Sequence, residues 1–294
     1  MIDRYHLRYF LAVIDQGNFS KAAAACNVSQ PTLSVGISKI EKILGHTLFL
    51  RTNRRVELTD AGARLASHAR RIESDFGTAE REVAGANVAE TIRLGVLVTT
   101  PAGWIESFLQ DRRASRTLER IEIVEARERD LLDRLARGRI DLALTIVRED
   151  NMRYEHQVLF SEAYSLAMSS AHRLADRYLI TPEELMNEPM LVRRQCELLS
   201  ETSRYFTARG IRPFFAARTT CDARALTYVR SGLGVTVMPD CFVEPGVVRP
   251  RLRDFPFNRD IGLVFAPHTD GPRLRTGLTV QGLVRAVARS RGEI

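Results

Sequence analysis

The sequence has no uninterrupted apolar run of about 18 residues, so it offers no membrane-spanning helix. Its first residues, Met1-Ile2-Asp3-Arg4-Tyr5-His6, lack the basic start and apolar stretch of a secretory signal, and the chain is expected to remain in the cytoplasm with no membrane partner. Cysteine is sparse. Cys26, Cys196, Cys221 and Cys241 lie far apart with no C-x-x-C pair, which argues against structural zinc and against a disulfide framework. Buried thiols are the expectation, and a redox pair such as Cys196 with Cys221 is the alternative. Also missing are a P-loop, a G-x-G-x-x-G, a G-x-S-x-G and an H-E-x-x-H. The six histidines are dispersed, none beside an obvious nucleophile, so no catalytic residue, metal or cofactor is expected. Lysine is almost absent, with 3 among the 43 basic residues. The formal net charge of +7 suits nucleic-acid binding. That charge is spread as +3 over residues 1–89 and +4 over residues 90–294, so DNA binding must be argued from local placement.

What is present is an ordinary globular balance over 294 residues, 45% hydrophobic and 27% charged, enough for two domains. Leu7, Phe10, Leu11 and Ile14 recur as the buried stripe of a helix, ended by Gly17-Asn18. Ser20 is expected to cap a short alanine-rich helix, Lys21 to Ala25, and Asn27-Val28-Ser29 to form a tight turn. Ser29 then caps a third helix whose first turn holds Pro31. Leu33, Ile37, Ile40 and Leu44 give its core-facing stripe. Gln30, Thr32, Ser34, Val35, Ser38 and Lys39 lie opposite, side chains able to reach base edges and phosphates. This is the pattern of a helix-turn-helix, although small bundles without a DNA role share it. Thr47 to Leu50 and Val56 to Leu58 read as a β-hairpin wing with Arg51, Arg54 and Arg55 at or near its tip, suited to a minor groove or to phosphates. The DNA-contacting set is therefore Ser20, Lys21, Ser29, Gln30, Pro31, Thr32, Ser34, Val35, Lys39, Arg51, Arg54 and Arg55.

The ordered run Gly17-Asn18-Phe19-Ser20-x-Ala22-Ala23, Val28-Ser29-Gln30-Pro31-x-Leu33-Ser34, Ile37-x-x-Ile40-Glu41, Leu44-Gly45, Leu48-Phe49-x-Arg51 and Leu58-Thr59-x-Ala61-Gly62 resembles the winged helix-turn-helix of LysR-type transcriptional regulators. Cys26, Val35-Gly36 and Asp60 depart from the family's usual residues. Val35 and Gly36, placed beside the DNA-facing surface, bear on which bases are read.

Thr59 is expected to cap a helix to about residue 89. Its residues Leu65, Ala69, Ile72, Phe76, Ala79, Val83 and Ala86 form a heptad seam for a second chain. In LysR-type proteins the corresponding helix is the dimerisation element. From Thr91 strands and helices alternate as βαβαβ, with Thr91–Val98, Ile121–Glu125 and Asp141–Ile146 as parallel strands. A second set follows, with strands at Tyr164–Met168, Met190–Val192, Phe214–Arg218, Val235–Met238 and Gly262–Phe265, and helices at Ser200–Arg209, Ala223–Gly232 and Leu274–Arg289. The fold class is α/β behind an α-helical N-terminus. The expected division is a DNA-binding domain over 1–60, a linker and dimerisation helix over 61–89 and a two-lobed domain over 90–294. Lobe I takes about 90–163 and 266–294, and lobe II about 164–265.

Leu131-Leu132-x-x-Leu135-x-x-Gly138-x-Ile140-Asp141-Leu142-Ala143, His172-x-Leu174-Ala175 and Val229-x-x-Gly232-Leu233-Gly234-Val235-x-x-x-Pro239 resemble the effector-binding domain of the same regulators. The resemblance implies the fold of periplasmic binding proteins. Ligands of open α/β sheets sit beyond the carboxyl ends of strands. Thr99, Thr100, Arg127, Arg148, Arg193, Arg194, Gln195, Thr219 and Thr220 hold such places here, and hydroxyls with arginines suit an anionic effector; Thr99, Thr100, Arg127, Arg148, Gln195 and Thr220 are taken as the effector-binding set. Thr100 is also where the resemblance implies an effector-binding hydroxyl. For each arginine a salt bridge is the competing role, and for Trp104 core packing competes with a pocket wall. The expected partners are double-stranded DNA, a small-molecule effector and further copies of the chain, as homodimer or homotetramer. The competing functions are an effector-independent architectural DNA binder, a solute-binding protein and an enzyme on a two-lobed fold.

Overall fold

The computed structural model describes residues 1–51, 56–83, 91–115, 119–149 and 154–292. Helices α1 (Arg4–Gln16), α2 (Phe19–Ala25) and α3 (Gln30–Leu44) precede strands β1 (Phe49–Arg51) and β2 (Val56–Leu58), which pair antiparallel, and then α4 (Asp60–Val83). The predicted stripe of α1 is buried, with Val13 added, and Gly17 closes the helix at φ 63°, where a side chain would be strained. The cap of α2 differs from expectation. Asn18 accepts from the amides of Ser20 and Lys21 at 2.8 and 3.1 Å, so Ser20 lies inside the helix. An Asn oxygen two residues upstream reaches the free amides as well as Ser20 could from the cap position. On α3, Ser29 caps as predicted, accepting from Thr32 N at 3.3 Å. Leu33, Ile37 and Ile40 are fully buried, but Leu44, expected to face inward, is exposed at the helix end.

Gly36 also departs from expectation. It does not border the outer surface but faces α1: a Cβ there would meet Tyr9 Cδ2 at 2.8 Å and His6 Cδ2 at 3.0 Å. The close crossing of α1 over α3 thus excludes a side chain. Gly62 serves the same purpose in α4, where a Cβ would sit 2.2 Å from the Leu48 carbonyl oxygen. Thr59 holds that junction, donating its hydroxyl to Thr47 O at 2.7 Å and accepting from Gly62 N at 3.0 Å. One core, from Leu7 through Ala66 and Ala69, ties these elements together.

Beyond this body come β3 (Thr91–Leu97), α5 (Ala102–Ala114), β4 (Arg120–Ala126), α6 (Glu128–Ala136) and β5 (Leu142–Val147). Strand β3 runs parallel to both β4 and β5, the expected βαβαβ unit, and every residue of β5 is buried. The long β6 (His156–Ser169) starts well before the predicted Tyr164. It is followed by β7 (Leu179–Ile180), a 3-10 turn (Pro182–Leu185), β8 (Met190–Arg193), α7 (Leu199–Thr207), β9 (Phe215–Thr219), α8 (Asp222–Arg230), β10 (Thr236–Pro239), β11 (Val247–Val248) and β12 (Arg251–Leu252). Then β13 (Asn258–Phe265) leads to α9 (Gly271–Thr276) and α10 (Leu278–Ser290). The predicted single last helix is broken at Gly277, whose ψ of 149° is extended.

The main sheet runs β10-β6-β13-β5-β3-β4, with β11 also on β6. Strands β6 and β13 are antiparallel and belong to both halves: β13 pairs β5 on one side and β6 on the other. One apolar core, around Trp104, Phe108, Leu131 and Phe265, fills the half built on β3–β5. Separate clusters around Leu166, Met190 and Val235, and around Ala167, Leu226 and Val229, fill the other. Trp104 is in the core, edge-on to Phe160 at 5.6 Å between ring centroids.

Candidate nucleic-acid interface and interlobe site

The outer face of α3 is built by default once Leu33, Gly36, Ile37 and Ile40 are turned inward at helical spacing. Gln30, Pro31, Thr32, Val35, Ser38 and Lys39 are then exposed and Ser34 half-buried. Val35 stands 68% exposed, a β-branched apolar side chain with nothing from its own chain over it. Ser29 and Thr32 share a hydroxyl–hydroxyl bond of 2.7 Å at the helix start. Ser20 and Lys21 are exposed on α2. Among the described residues neither Lys21 nor Lys39 has an acidic partner in this chain, so both charges are available to phosphate. The side chain of Arg51, and all of Arg54 and Arg55, lie outside the described residues.

The interlobe candidates separate into groups. Arg127 and Gln195 come together: Arg127 Nε donates to Gln195 Oε1, joining the loop after β4 to the loop after β8. Both line a cavity of about 380 Å³ with Val98, Ala126, Glu125, Asp130, Asp133, Arg134 and Arg139. Thr100 is half-buried and donates its hydroxyl to Leu97 O at 2.7 Å, which leaves its oxygen lone pairs as acceptors. Arg148 forms an ion pair with Glu128 at 3.0 Å, the competing role weighed for it. Thr220 is exposed, whereas its neighbour Thr219 is buried and accepts from Cys221 N at 3.1 Å. Thr99 is fully buried and serves Arg259, which donates to its hydroxyl at 3.3 Å and its carbonyl at 3.1 Å.

Arg259 opens onto a set of residues that the sequence reading passed over. Its guanidinium meets Glu162 at 2.8 Å and Glu197 at 2.5 Å, with the three side chains 1%, 3% and 7% exposed. Tyr164 donates to Glu197 at 2.5 Å, and Cys241 Sγ lies 3.4 Å from Arg259 Nη2. Beside them Arg193 is buried against Asp222, with Nη1 3.1 Å from Val237 O and 3.5 Å from Cys196 Sγ. Burial pushes Glu197 up, yet the Arg259 charge and the Tyr164 hydroxyl outweigh it and hold the carboxyl below its usual range. Burial also pushes up the Cys196 thiol, and the Cys241 thiol to about 12. The available signal was charge inside apolar strands. Glu162 and Arg259 interrupt β6 and β13, and they stand directly opposite each other in register.

Comparison with known proteins adds the following. Residues 5–63 match the family described as bacterial regulatory helix-turn-helix protein, lysR family, and residues 85–279 match the LysR substrate binding domain. A probable hydrogen peroxide-inducible genes activator of Streptomyces viridosporus is 31% identical over 247 residues, covering 83% of this chain and 79% of that protein. The DNA-binding transcriptional dual regulator OxyR of Escherichia coli K12 is 28% identical over 272 residues, covering 89% and 88%. Among solved structures, a full-length OxyR variant from Pseudomonas aeruginosa aligns with a TM-score of 0.64 at 24% identity, over 98% of this chain and 95% of that one. Full-length BenM aligns at 0.54 and 22% identity, over 99% and 98%. At these identities the two structures establish a shared fold.

Proposed function

From the premise that this chain belongs to the LysR family of DNA-binding transcriptional regulators, with an effector-binding domain, we propose that α3 is its recognition helix and that its effector lodges between the lobes at the Arg127–Gln195 contact. The proposal divides the chain as 1–60 for DNA, 61–89 for linkage and pairing, and 90–294 for the effector, and it assigns no catalysis. No helix among the described residues is long and apolar enough to cross a membrane, in keeping with a cytoplasmic regulator. DNA contacts come from Gln30, Thr32, Ser34, Val35 and Lys39, supported by Ser20, Lys21, Ser29 and Pro31 and, from the hairpin, Arg51, Arg54 and Arg55. Val35 suits a thymine methyl group and Gln30 an adenine edge.

The observation that carries this reading is the two-faced helix α3, apolar and dry toward α1, mainly polar and exposed outside. Gln30→Ala is expected to weaken specific operator binding by about 1–3 kcal/mol, roughly 5- to 150-fold, with the oligomer intact. Footprinting and light scattering measure the two. An unchanged footprint would remove α3 from the major groove.

Effector binding is expected to act by differential affinity for two lobe arrangements, and thereby on the spacing of paired DNA-binding heads. Thr100→Val should blunt the response to an effector, with DNA binding retained.

The name of the Streptomyces viridosporus relative raises hydrogen peroxide as a second reading of the signal. The Arg193 guanidinium beside Cys196 favours it, since a nearby cation assists a thiolate. The raised pKa of that buried thiol opposes it, because the thiolate is the species that peroxide attacks. Peroxide treatment followed by mass spectrometry and footprinting decides between them. Oxidation at Cys196 together with an altered footprint, both absent in Cys196→Ser, would replace the small-molecule reading.

A further inference from the structure

A second cavity, of about 460 Å³, lies between α7 and the segment that joins β12 to β13. It shares no lining residue with the Arg127–Gln195 cavity. Its apolar wall is Tyr205, Pro256 and Phe257. Behind that wall the rings form a chain, Phe206 on Tyr205 at 5.2 Å, Tyr205 on Phe255 at 5.0 Å and Phe255 on Phe257 at 4.7 Å between centroids. A cavity of this size, with aromatic walls and a few polar groups, has the usual form of a small-molecule site.

Tyr205 contributes only its ring. Burial pushes its phenol up to about 12, with Arg209 pulling against the rise and Asp254 and Glu183 adding to it, and its hydroxyl is donated to Arg253 O. The charged lining is balanced, Glu201 and Asp254 against Arg204 and Arg209. Glu183 and Arg253, beside Tyr205, add one charge of each sign. Glu201 and Arg204 neutralise each other at 3.1 Å. Arg209 and Asp254 do not, since among the described residues neither forms an ion pair. Arg209 lies over the Tyr205 ring at 4.0 Å and gives Nη1 to Tyr205 O at 3.1 Å, one bond from a fork that carries five donors.

Backbone and topology add to the argument. Asp254 stands in the left-handed region at φ 53°, a conformation that costs energy for any residue but glycine and that gathers at ligand sites. Phe257 leads straight into β13, the strand paired with both β5 and β6. A ligand on its ring would therefore press on the strand that the two halves share.

We propose that this cavity is a second effector site and that it takes an aromatic α-amino acid. The ring would lie against Tyr205 and Phe257, the carboxylate on Arg209 and the ammonium on Asp254. A head that carries both charges on one carbon answers both groups, which do not reach each other. An anion or a cation alone would leave one of them unanswered and upset the balance of the lining.

Isothermal titration of the full-length protein tests this with L-phenylalanine and three truncated probes: 3-phenylpropionate without the ammonium, phenethylamine without the carboxylate and L-alanine without the ring. L-phenylalanine should bind saturably, and each truncated probe at least about tenfold more weakly. Asp254→Asn, whose amide tolerates the left-handed backbone, and Arg209→Gln should each weaken L-phenylalanine at least several-fold, while Thr100→Val should leave it unchanged. Asp254 and Arg209 are both exposed, so neither variant threatens the fold. No saturable heat with L-phenylalanine would overturn the proposal. So would a truncated probe that binds as tightly as the whole amino acid, or equal affinity of the wild type and both variants. Loss of binding in Thr100→Val alone would place the amino acid between the lobes and overturn the proposal as well, with the interlobe reading left standing.

Discussion

At the scale of single residues, charge inside the protein is placed by strand register. Asp141 shows how such a group acts on stability. It accepts from Arg93 N at 2.7 Å and Arg93 Nη2 at 3.0 Å, and its other contact is His268 Nε2 at 3.2 Å. It thereby fastens the start of β5 to β3 and to the turn after β13. Burial pushes this carboxyl up, but the bonds and charge from His268 and Arg93 outweigh it and hold it below the usual aspartate value of 3.8. A carboxyl lowered on folding contributes stability that is fully present above 3.8 and lost as pH falls through its folded value. Asp141→Asn should therefore destabilise the β3–β5 half at neutral pH, by about 1–3 kcal/mol, since Arg93 is itself 38% exposed. The gap from wild type should close as pH drops below 3.8. Denaturant titrations by Trp104 fluorescence at several pH values would measure this, and a gap that widens in acid would contradict it. Asp141 was legible in the sequence only as part of a motif, and Glu162 and Arg259 only as charges inside apolar strands, without their pairing. A charge in an apolar run announces that it needs a partner, but the partner of Arg259 is 97 residues away at Glu162, and only the pairing of β6 with β13 reveals it.

Local elements were easier to read, because caps and apolar spacing act within a few residues. The helices α1 and α3, the hairpin and the βαβαβ unit follow from such signals. The 14-residue β6 was seen only in its second half, since its first half is partly exposed and alternates weakly. The break at Gly277 was hidden because Leu274 and Leu278 keep the apolar spacing across it. The linker helix α4 is where element and assembly meet. Its predicted seam residue Ala86 lies outside the described residues, and the described part divides in two: Ala69, with the neighbouring Ala66, is buried in the N-terminal core, whereas Phe76 is 45% and Val83 90% exposed. Arg4 covers one side of Phe76, its guanidinium 4.3 Å from the ring centroid and paired with Glu73 at 2.9 Å. The exposed half, with Ile72, is the surface we expect a second α4 to cover in the oligomer. Replacing Ile72 and Phe76 together by Glu removes two apolar side chains from each partner. At about 1.5–3 kcal/mol per buried side chain, dimerisation should weaken by more than a hundredfold. Sedimentation would show monomers and circular dichroism an unchanged helix content, while persistence of the dimer would relocate the interface.

On the scale of the whole molecule, a regulator of this kind needs a mechanical route from the lobes to the DNA-binding head, and the contacts suggest where that route begins. Asp15, in the last turn of α1, accepts from Arg70 of α4 through its carboxylate and from Arg139 of lobe I through its carbonyl, both at 2.5 Å. Arg70 lies over Gly138, where a Cβ would fall 2.0 Å from its Cδ, and His268 closes the same spot from the other side. Arg139 also lines the cavity shared with Arg127 and Gln195. One residue thus borders the proposed effector space and grips the end of a helix in the DNA-binding body. A ligand that repositions Arg139 would loosen or tighten that grip, and an exposed hydrogen bond to a backbone carbonyl, of about 1 kcal/mol, is weak enough to be switched by binding. Arg139→Ala should therefore increase hydrogen exchange at the amides around Asp15 to Gly17 and raise the radius of gyration in solution scattering, with lobe I exchange unchanged. It should also make operator affinity less responsive to any ligand of the interlobe cavity. If exchange at α1 stays as in the wild type, the head is held by the α4 packing alone, and the path from effector to DNA must run through the paired linker helices instead.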